Sequence, residues 1–294
     1  MCLDSGCATY DRLWTTTSLR GLARIAFTVR VLTEGVHSGA AGGVVPSSFR
    51  VARALLDRIE DPLTGELLLP ELLAEVPTDR RDAAEVTAER LGPDWAASAF
   101  PWAGGTHAHT AATAEHLLDR TWRGALEVIG ADGLPPTAAA GNVLRPSTTL
   151  SLAMRLAPHV DAEAAAEAVR VALTTNVPGG AQVEVDTEHA SGWAAPACSP
   201  WLADALEAAS QEAFGAPHST MGEGGGIPFM GMLAERFPKA QFVVAGVLGP
   251  ESNAHGPNEF LHLAFAERLT VAMALILDRH ARGSVPDGAA EGAA

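Results

Sequence analysis

Residues 22–32 read Leu-Ala-Arg-Ile-Ala-Phe-Thr-Val-Arg-Val-Leu, and their alternation decides the fold. Ile25, Phe27, Val29 and Val31 fall on one side of an extended chain, the period-two pattern of a half-buried strand. After a Gly-rich turn, Ser47-Ser48 can cap a helix in which Phe49, Ala52, Leu55, Leu56 and Ile59 recur at helical spacing. Strands are expected over 123–130 and 148–156. A helix from Asp161 through Leu173 follows, with Ala165, Ala168, Val169 and Ala172 on one face, and a last strand covers 182–186. Residues 20 to about 190 thus read β-α-β-β-α-β, the ferredoxin-like order of a four-stranded antiparallel sheet with two helices on one side. Residues 62–120, rich in Ala and Glu and punctuated by Pro, interrupt that pattern with two or three short helices.

Outward from this unit the rhythm changes. A helix over 201–214, a Gly-rich loop, a short helix, a β-branched strand over 241–247 and a long final helix follow one another. In the final helix Leu261, Phe265, Leu269, Ala272, Leu275 and Ile276 share a face. Helices alternating with such a strand suggest part of a parallel α/β sheet, one whose other strands the pattern does not supply. The Gly/Ala-rich tail over 281–294 is expected to be disordered.

Bulk properties exclude several partner classes. The 294 residues carry 20 basic and 35 acidic side chains, a formal charge of −15, with no Lys/Arg cluster, which argues against a nucleic-acid partner. No apolar stretch approaches the ~20 residues that span a bilayer, so no membrane association is expected. The N-terminus lacks the basic and apolar regions of a signal peptide. Cys2, Cys7 and Cys198 have no Cys-x-x-Cys spacing, and reduced thiols in a cytoplasmic protein are the expectation.

Several residues could carry chemistry. Asp4 precedes Ser-Gly, where a carboxylate can face a cleft or simply bond its own turn. His255 lies in Asn-Ala-His-Gly-Pro-Asn-Glu (253–259), a loop after a buried strand, the place where α/β sheets bind ligands. His37, in Gly-Val-His-Ser-Gly (35–39), reads equally as a turn residue. Arg155 ends a strand and Asn142 opens the loop before it; a surface ion pair is the plain reading of such an Arg. Glu223 and Gly224 to Gly226 resemble a phosphate loop but lack its Gly-Lys-Ser/Thr ending. His107-Ala108-His109 has the spacing of two ligands on one strand face, yet no carboxylate lies nearby, and an exposed loop is the better reading.

Seven motifs in order carry a resemblance to a known family. They are Leu-Asp-Ser-Gly (3–6), Thr-Thr-Ser-Leu-Arg-Gly (16–21), Gly-Val-His-Ser-Gly (35–39), Gly-Asn-Val-Leu-Arg-Pro (141–146), Met-Arg-Leu-Ala-Pro (154–158), Gly-Glu-Gly-Gly-Gly-Ile-Pro (222–228) and Asn-Ala-His-Gly-Pro-Asn-Glu (253–259). In them the chain is similar to the zinc metallopeptidases of carnosine dipeptidase, aminoacylase and succinyl-diaminopimelate desuccinylase (peptidase family M-twenty). The resemblance implies an α/β catalytic domain interrupted by a ferredoxin-like α+β lid that dimerises. The pieces would be 1–19 and 193–280 for the catalytic domain and 20–192 for the lid.

The resemblance also implies roles. Asp4 and His255 would be zinc ligands in a site that holds two Zn(2+) in the complete enzyme. His37 would cross a homodimer interface to steady an oxyanion. Arg155, Asn142 and His189 would grip the terminal carboxylate of a dipeptide or N-acyl amino acid, for which a guanidinium fork is suited. Glu223, Gly225 and Gly226 would contact the substrate, although some relatives carry Ser where this chain has Gly226. A co-catalytic pair also needs a bridging carboxylate, further ligands and a general base. The family supplies these from His-x-Asp and Glu-Glu motifs N-terminal to the position of Asp4. This chain has no Glu-Glu, and its one His-x-Asp, His159-Val160-Asp161, starts a lid helix. The expectation is therefore an amide hydrolase in fragment form, inactive as this chain alone. The alternative is a dimerising module that binds carboxylates without catalysis.

Overall fold

Two sheets meet across a single residue. In the computed structural model, which describes residues 1–98 and 100–283, β1 (Trp14–Leu19) and β2 (Gly21–Arg30) are separated only by Arg20. A two-residue β3 (Val36–His37), the one-turn α1 (Ser38–Ala41) and α2 (Ser48–Leu56) come next. The inserted segment then forms α3 (Thr78–Leu91), α4 (Trp95–Ser98) and α5 (Thr113–Thr121). After it come β4 (Ala125–Asp132), β5 (Val143–Leu144), β6 (Ser147–Leu156), α6 (Ala162–Thr174), β7 (Gln182–Ala190) and β8 (Trp193–Ala194). The chain closes with α7 (Pro200–Phe214), β9 (Ser219–Glu223), α8 (Pro228–Arg236) and α9 (Leu263–Gly283).

The larger sheet has the order β4-β6-β2-β7 with every neighbour antiparallel, the ferredoxin-like arrangement read from the alternation. Ile25, Phe27 and Val29 are fully buried beneath α2 and α6 with Leu152, Met154, Leu156, Leu55 and Val169. Each such side chain contributes about 2 kcal/mol by leaving water. Both helices start on the caps their sequences offer: the Ser47 hydroxyl accepts from Arg50 N, and the Asp161 carboxylate accepts from Glu163 N and Ala164 N. Asp161 is thus committed to a helix cap. Two details differ from the spacing. Val31 is only half-buried, and Phe49 is exposed because α2 buries Val51, Ala52 and Leu55 instead.

The smaller sheet has the order β8-β1-β9, with β9 parallel to β1. The strand expected over 241–247 is not a continuous strand. Its backbone is divided among three neighbours: Cys2 N donates to Val243 O, Ser5 N to Ala245 O and Thr16 N to Val244 O. Only isolated parallel bridges, Cys2 with Val244 and Gly6 with Leu248, result. α7 and α9 cover this layer, burying Leu13, Trp14, Leu202, Leu206, Phe265, Leu269 and Ile276 in a second core. Leu261 precedes α9 and is exposed, so it does not share that buried face. Of the tail expected to be disordered, 281–283 belong to α9 and 284–294 lie outside the described residues. No helix among the described residues is long and apolar enough to cross a membrane.

The inserted segment packs on the smaller sheet. Thr87 Oγ1 donates to Thr220 O at 2.9 Å and Arg90 to His218 O at 3.0 Å, so α3 lies along β9, while Arg80 reaches Ala195 O at 2.9 Å. The residues between α2 and β4 therefore tie the two layers together instead of extending the larger one.

His218, at the start of β9, is hydrogen-bonded through Nε2 to Thr15 Oγ1 at 2.8 Å and so links β9 to β1. Burial lowers its pKa to about 4, with Arg90 adding to the effect and Glu207 opposing it. A depressed histidine contributes stability above its ordinary pKa near 6.5, lost as pH falls toward the folded value. Melting temperature should therefore drop between about pH 6.5 and pH 4, and His218→Gln should flatten that slope. Equal slopes in the two proteins would show that His218 does not govern acid sensitivity.

Candidate functional site

The carboxyl ends of two parallel pairs converge. Asp4 to Gly6 and Leu248 end the bridges of one pair; Leu19 and Glu223 end β1 and β9 in register. The Glu223 side chain links them, its Oε1 lying 3.0 Å from where a Cβ on Gly6 would stand. Ligands of open α/β sheets bind at this edge. The loop after Leu248 carries His255, exposed and held at φ +60°, with Glu251, Asn253 and Asn258 also left-handed. A left-handed histidine is uncommon and costs backbone energy, a feature concentrated at functional sites. Asp4 is likewise exposed.

Glu223 is enclosed. Burial raises its pKa above the ordinary carboxylate range, and Arg120 and the Gly224 N–H only partly counter this. Arg120 Nη2 stands 3.4 Å from Glu223 Oε2, with the Arg120 guanidinium also 6.0 Å from the Trp95 ring. Burial, then the Glu223 and Asp11 charges, push the Cys7 thiol up to about 12, so it is an inert neighbour. The end of β9 and the loop after it are threaded through narrow gaps. A Cβ on Gly222 would meet Ser18 and Thr121, and one on Gly226 would come within 2.8 Å of the Arg20 carbonyl. Gly225 faces open space.

Arg20 lies beneath that loop. Its Nε donates to Gly224 O at 3.2 Å, and its Nη1 to Asp119 O at 3.3 Å and Arg123 O at 3.2 Å. Burial first, then the Arg155 and Arg120 charges, lower its pKa to about 10. Arg155, half-buried and paired in register with Leu22 and Ala125, has no side-chain hydrogen bond or ion pair among the described residues.

The remaining expected residues lie elsewhere. His37 pairs with Val143, and Ser38 N donates to Asn142 O at 2.9 Å, so His37 and Asn142 are neighbours. His37 Nδ1 accepts from Gly39 N at 3.1 Å, which leaves Nε2 to carry the ring proton outward as a donor. This pair precedes the start of β6, whereas Arg155 is near its end. Eight residues of β6 separate them, about 26 Å at roughly 3.3 Å per residue. His189 pairs with Ala23 while Arg155 pairs with Leu22, so the two belong to opposite faces of the sheet. One copy of the chain does not gather Arg155, Asn142 and His189 into one pocket. His107 and His109 are exposed in a loop. Arg20 and Arg120 were not singled out from sequence. Arg20 was inside a quoted motif, while Arg120, one residue from a helix end, carried no signal.

Comparison with known proteins decides the family. Residues 24–279 match the description Peptidase family M20/M25/M40. The chain belongs to this family. It is similar to a cysteinylglycine-S-conjugate dipeptidase of Corynebacterium striatum, 31% identical over 263 residues that span 86% of this chain and 55% of the relative. Among solved structures it resembles the di-peptidase Dug1p of Saccharomyces cerevisiae, with a TM-score of 0.75, 18% identity, and 96% of this chain and 59% of that one covered. Human carnosine dipeptidase 1 matches at a TM-score of 0.70 and 17% identity, covering 94% and 58%. At such identities the structures speak for the fold. The chain spans about half the length of the curated relatives it matches.

The Glu223 environment yields a test. A carboxylate whose folded pKa is raised costs stability once ionised, and the cost vanishes as pH falls through that pKa. Glu223→Gln should raise the melting temperature near neutral pH, and the gain should shrink to nothing by about pH 4. A loss at neutral pH would mean that the Arg120 pair outweighs burial.

Proposed function

We propose that this chain forms the substrate-gripping and dimerising part of a metal-dependent hydrolase of the dipeptidase or aminoacylase type, acting on dipeptides or N-acyl amino acids. In this reading residues 20–192 are the lid, and 1–19 with 193–280 are catalytic-domain pieces. The observation that carries it is Arg155, a half-buried guanidinium with no side-chain partner among the described residues and close enough to Arg20 to add to the lowering of that group's pKa by burial. An uncompensated guanidinium is suited to a carboxylate, which it can hold by two parallel hydrogen bonds. The curated relatives support the substrate class, since one acts on cysteinylglycine S-conjugates and another is a Cys-Gly metallodipeptidase.

The family's zinc chemistry requires more than the described residues offer. A catalytic zinc takes three protein ligands and a water. Among the described residues no group of three or more His, Cys, Asp or Glu could hold a metal ion. Asp4 and His255 are two donors and do not make a co-catalytic pair, so no hydrolytic step is assigned to this chain alone. What its own residues do is bind and orient: Arg155 takes the ligand carboxylate, and Glu223 and the amides of the Gly225-Gly226 loop face the rest of it.

His37 and Asn142 lie too far along β6 to reach Arg155 in the same copy, which supports a homodimer in which a partner lid brings them. The outward Nε2–H of His37 is then the donor for a developing oxyanion. His189 would join this pocket only by reaching around the β7 edge, and it has the weakest support.

Three measurements test this. N-Acetylglycine should bind the 294-residue chain, and Arg155→Gln should abolish that binding without lowering the melting temperature. Sedimentation should give a dimer. For this chain zinc should be substoichiometric and glycylglycine hydrolysis absent. Stoichiometric zinc with turnover by the 294 residues alone would overturn the binding-only assignment, and unchanged ligand affinity in Arg155→Gln would overturn the carboxylate pocket.

A further inference from the structure

We propose that Arg20 is a positioning residue: it clamps the end of α5 to the loop over 224–226 and so sets where Arg120 and the Gly loop stand relative to Arg155. The proposal rests on the ligand-binding reading above for its effect on affinity, but the clamp itself stands on geometry.

Arg20 is the one residue between two sheets, so its backbone has little freedom. Leu19 is paired with Trp193 and Glu223, and Gly21 with Leu156. Its guanidinium donates to carbonyls from two segments distant in sequence. Asp119 O belongs to the last turn of α5, Arg123 O lies two residues past its end, and Gly224 O is in the loop after β9. The last carbonyls of a helix have no intrahelical partner and carry the negative end of its dipole, which a cation satisfies. The same group then reaches Gly224, fixing the loop against that helix end. The loop is also held by contact, because Gly226 passes so near the Arg20 carbonyl that a Cβ there would stand 2.8 Å away.

The consequences fall on the candidate site. α5 carries Arg120, the partner of Glu223, and the clamped loop follows Glu223 directly. Release of Gly224 would let the loop amides and the Arg120 side chain drift from Glu223. A planar fork with donors in fixed directions can meet three carbonyls at once; a lysine ammonium on a flexible stem cannot hold that spread.

The experiment compares the full chain with Arg20→Gln, Arg20→Lys and Arg155→Gln, reading amide hydrogen exchange and N-acetylglycine affinity in each. In both Arg20 variants exchange should rise at 120–124 and 224–226 but stay unchanged in β2 and β6. Affinity should fall roughly tenfold, the equivalent of one charge-assisted hydrogen bond. Arg155→Gln should lose ligand binding with exchange at 224–226 unaltered. If Arg20→Gln raises exchange in β2 and β6 as strongly, Arg20 is a general stabiliser and the proposal is overturned. Full rescue by Arg20→Lys overturns it too. If the wild-type chain binds no N-acetylglycine, the functional reading fails, and the local exchange response still decides the clamp.

Discussion

The rest of this structure depends on a double crossing between its two larger sheets. The chain leaves the smaller sheet at Leu19 and enters the larger one at Gly21; it returns between Ala190 and Trp193. The two crossings lie side by side. A Cβ on Gly192 would stand 2.7 Å from Leu19 O and 2.8 Å from Gly21 N, and one on Gly21 would lie 3.0 Å from Ala190 O. Neither position has room for a side chain, so glycine is required by close backbone approach and not by turn geometry. Two strands crossing at one point leave little freedom for the layers to slide, and the inserted helices on β9 restrict it further.

That crossing explains where the candidate residues fall. Arg155 and Leu156 end β6 beside Gly21, so the half-free guanidinium is delivered to the junction, next to Arg20 and the loop after Glu223. The antiparallel sheet sends the other end of β2 and β6 away from the junction. His37 and Asn142 sit there, held by the small β3·β5 pairing. A ten-residue strand thus acts as a spacer between two halves of the expected chemistry, and a single copy cannot fold them together.

The larger sheet was legible because one face of each central strand is buried and the other is not. In β2 that alternation is complete from Ala23 to Val29, and β6 repeats it over its full length. The smaller sheet hid itself. β1, Trp-Thr-Thr-Thr-Ser-Leu, is buried on both faces and therefore shows no period. β9 ends in Gly-Glu, a composition poor in strand formers. The opposite error occurred over 241–247, where β-branched residues promised a strand but the hydrogen bonds are shared among residues 2–5 and Thr16. Residue roles followed the same division. Motifs marked Glu223, Arg155 and His255, whereas the partnership of Arg20 with carbonyls some 100 and 204 residues away is invisible to any local pattern.

The three arginines at the junction make the strongest argument for a ligand. Close guanidiniums repel: the pKa of Arg20, lowered first by burial, is lowered further by the Arg155 and Arg120 charges. Each is compensated differently. Arg20 is satisfied by neutral carbonyl dipoles, which stabilise its charge without cancelling it. Arg120 has Glu223, a carboxylate that burial itself disfavours in the charged form. Arg155 has neither carbonyls nor a carboxylate among the described residues. A fold that needed Arg155 only for stability would have given it a counterion, because an unpaired half-buried charge is costly. The compensation left out of the protein is the one that a bound carboxylate would bring, and it would relieve Arg20 as well as Arg155.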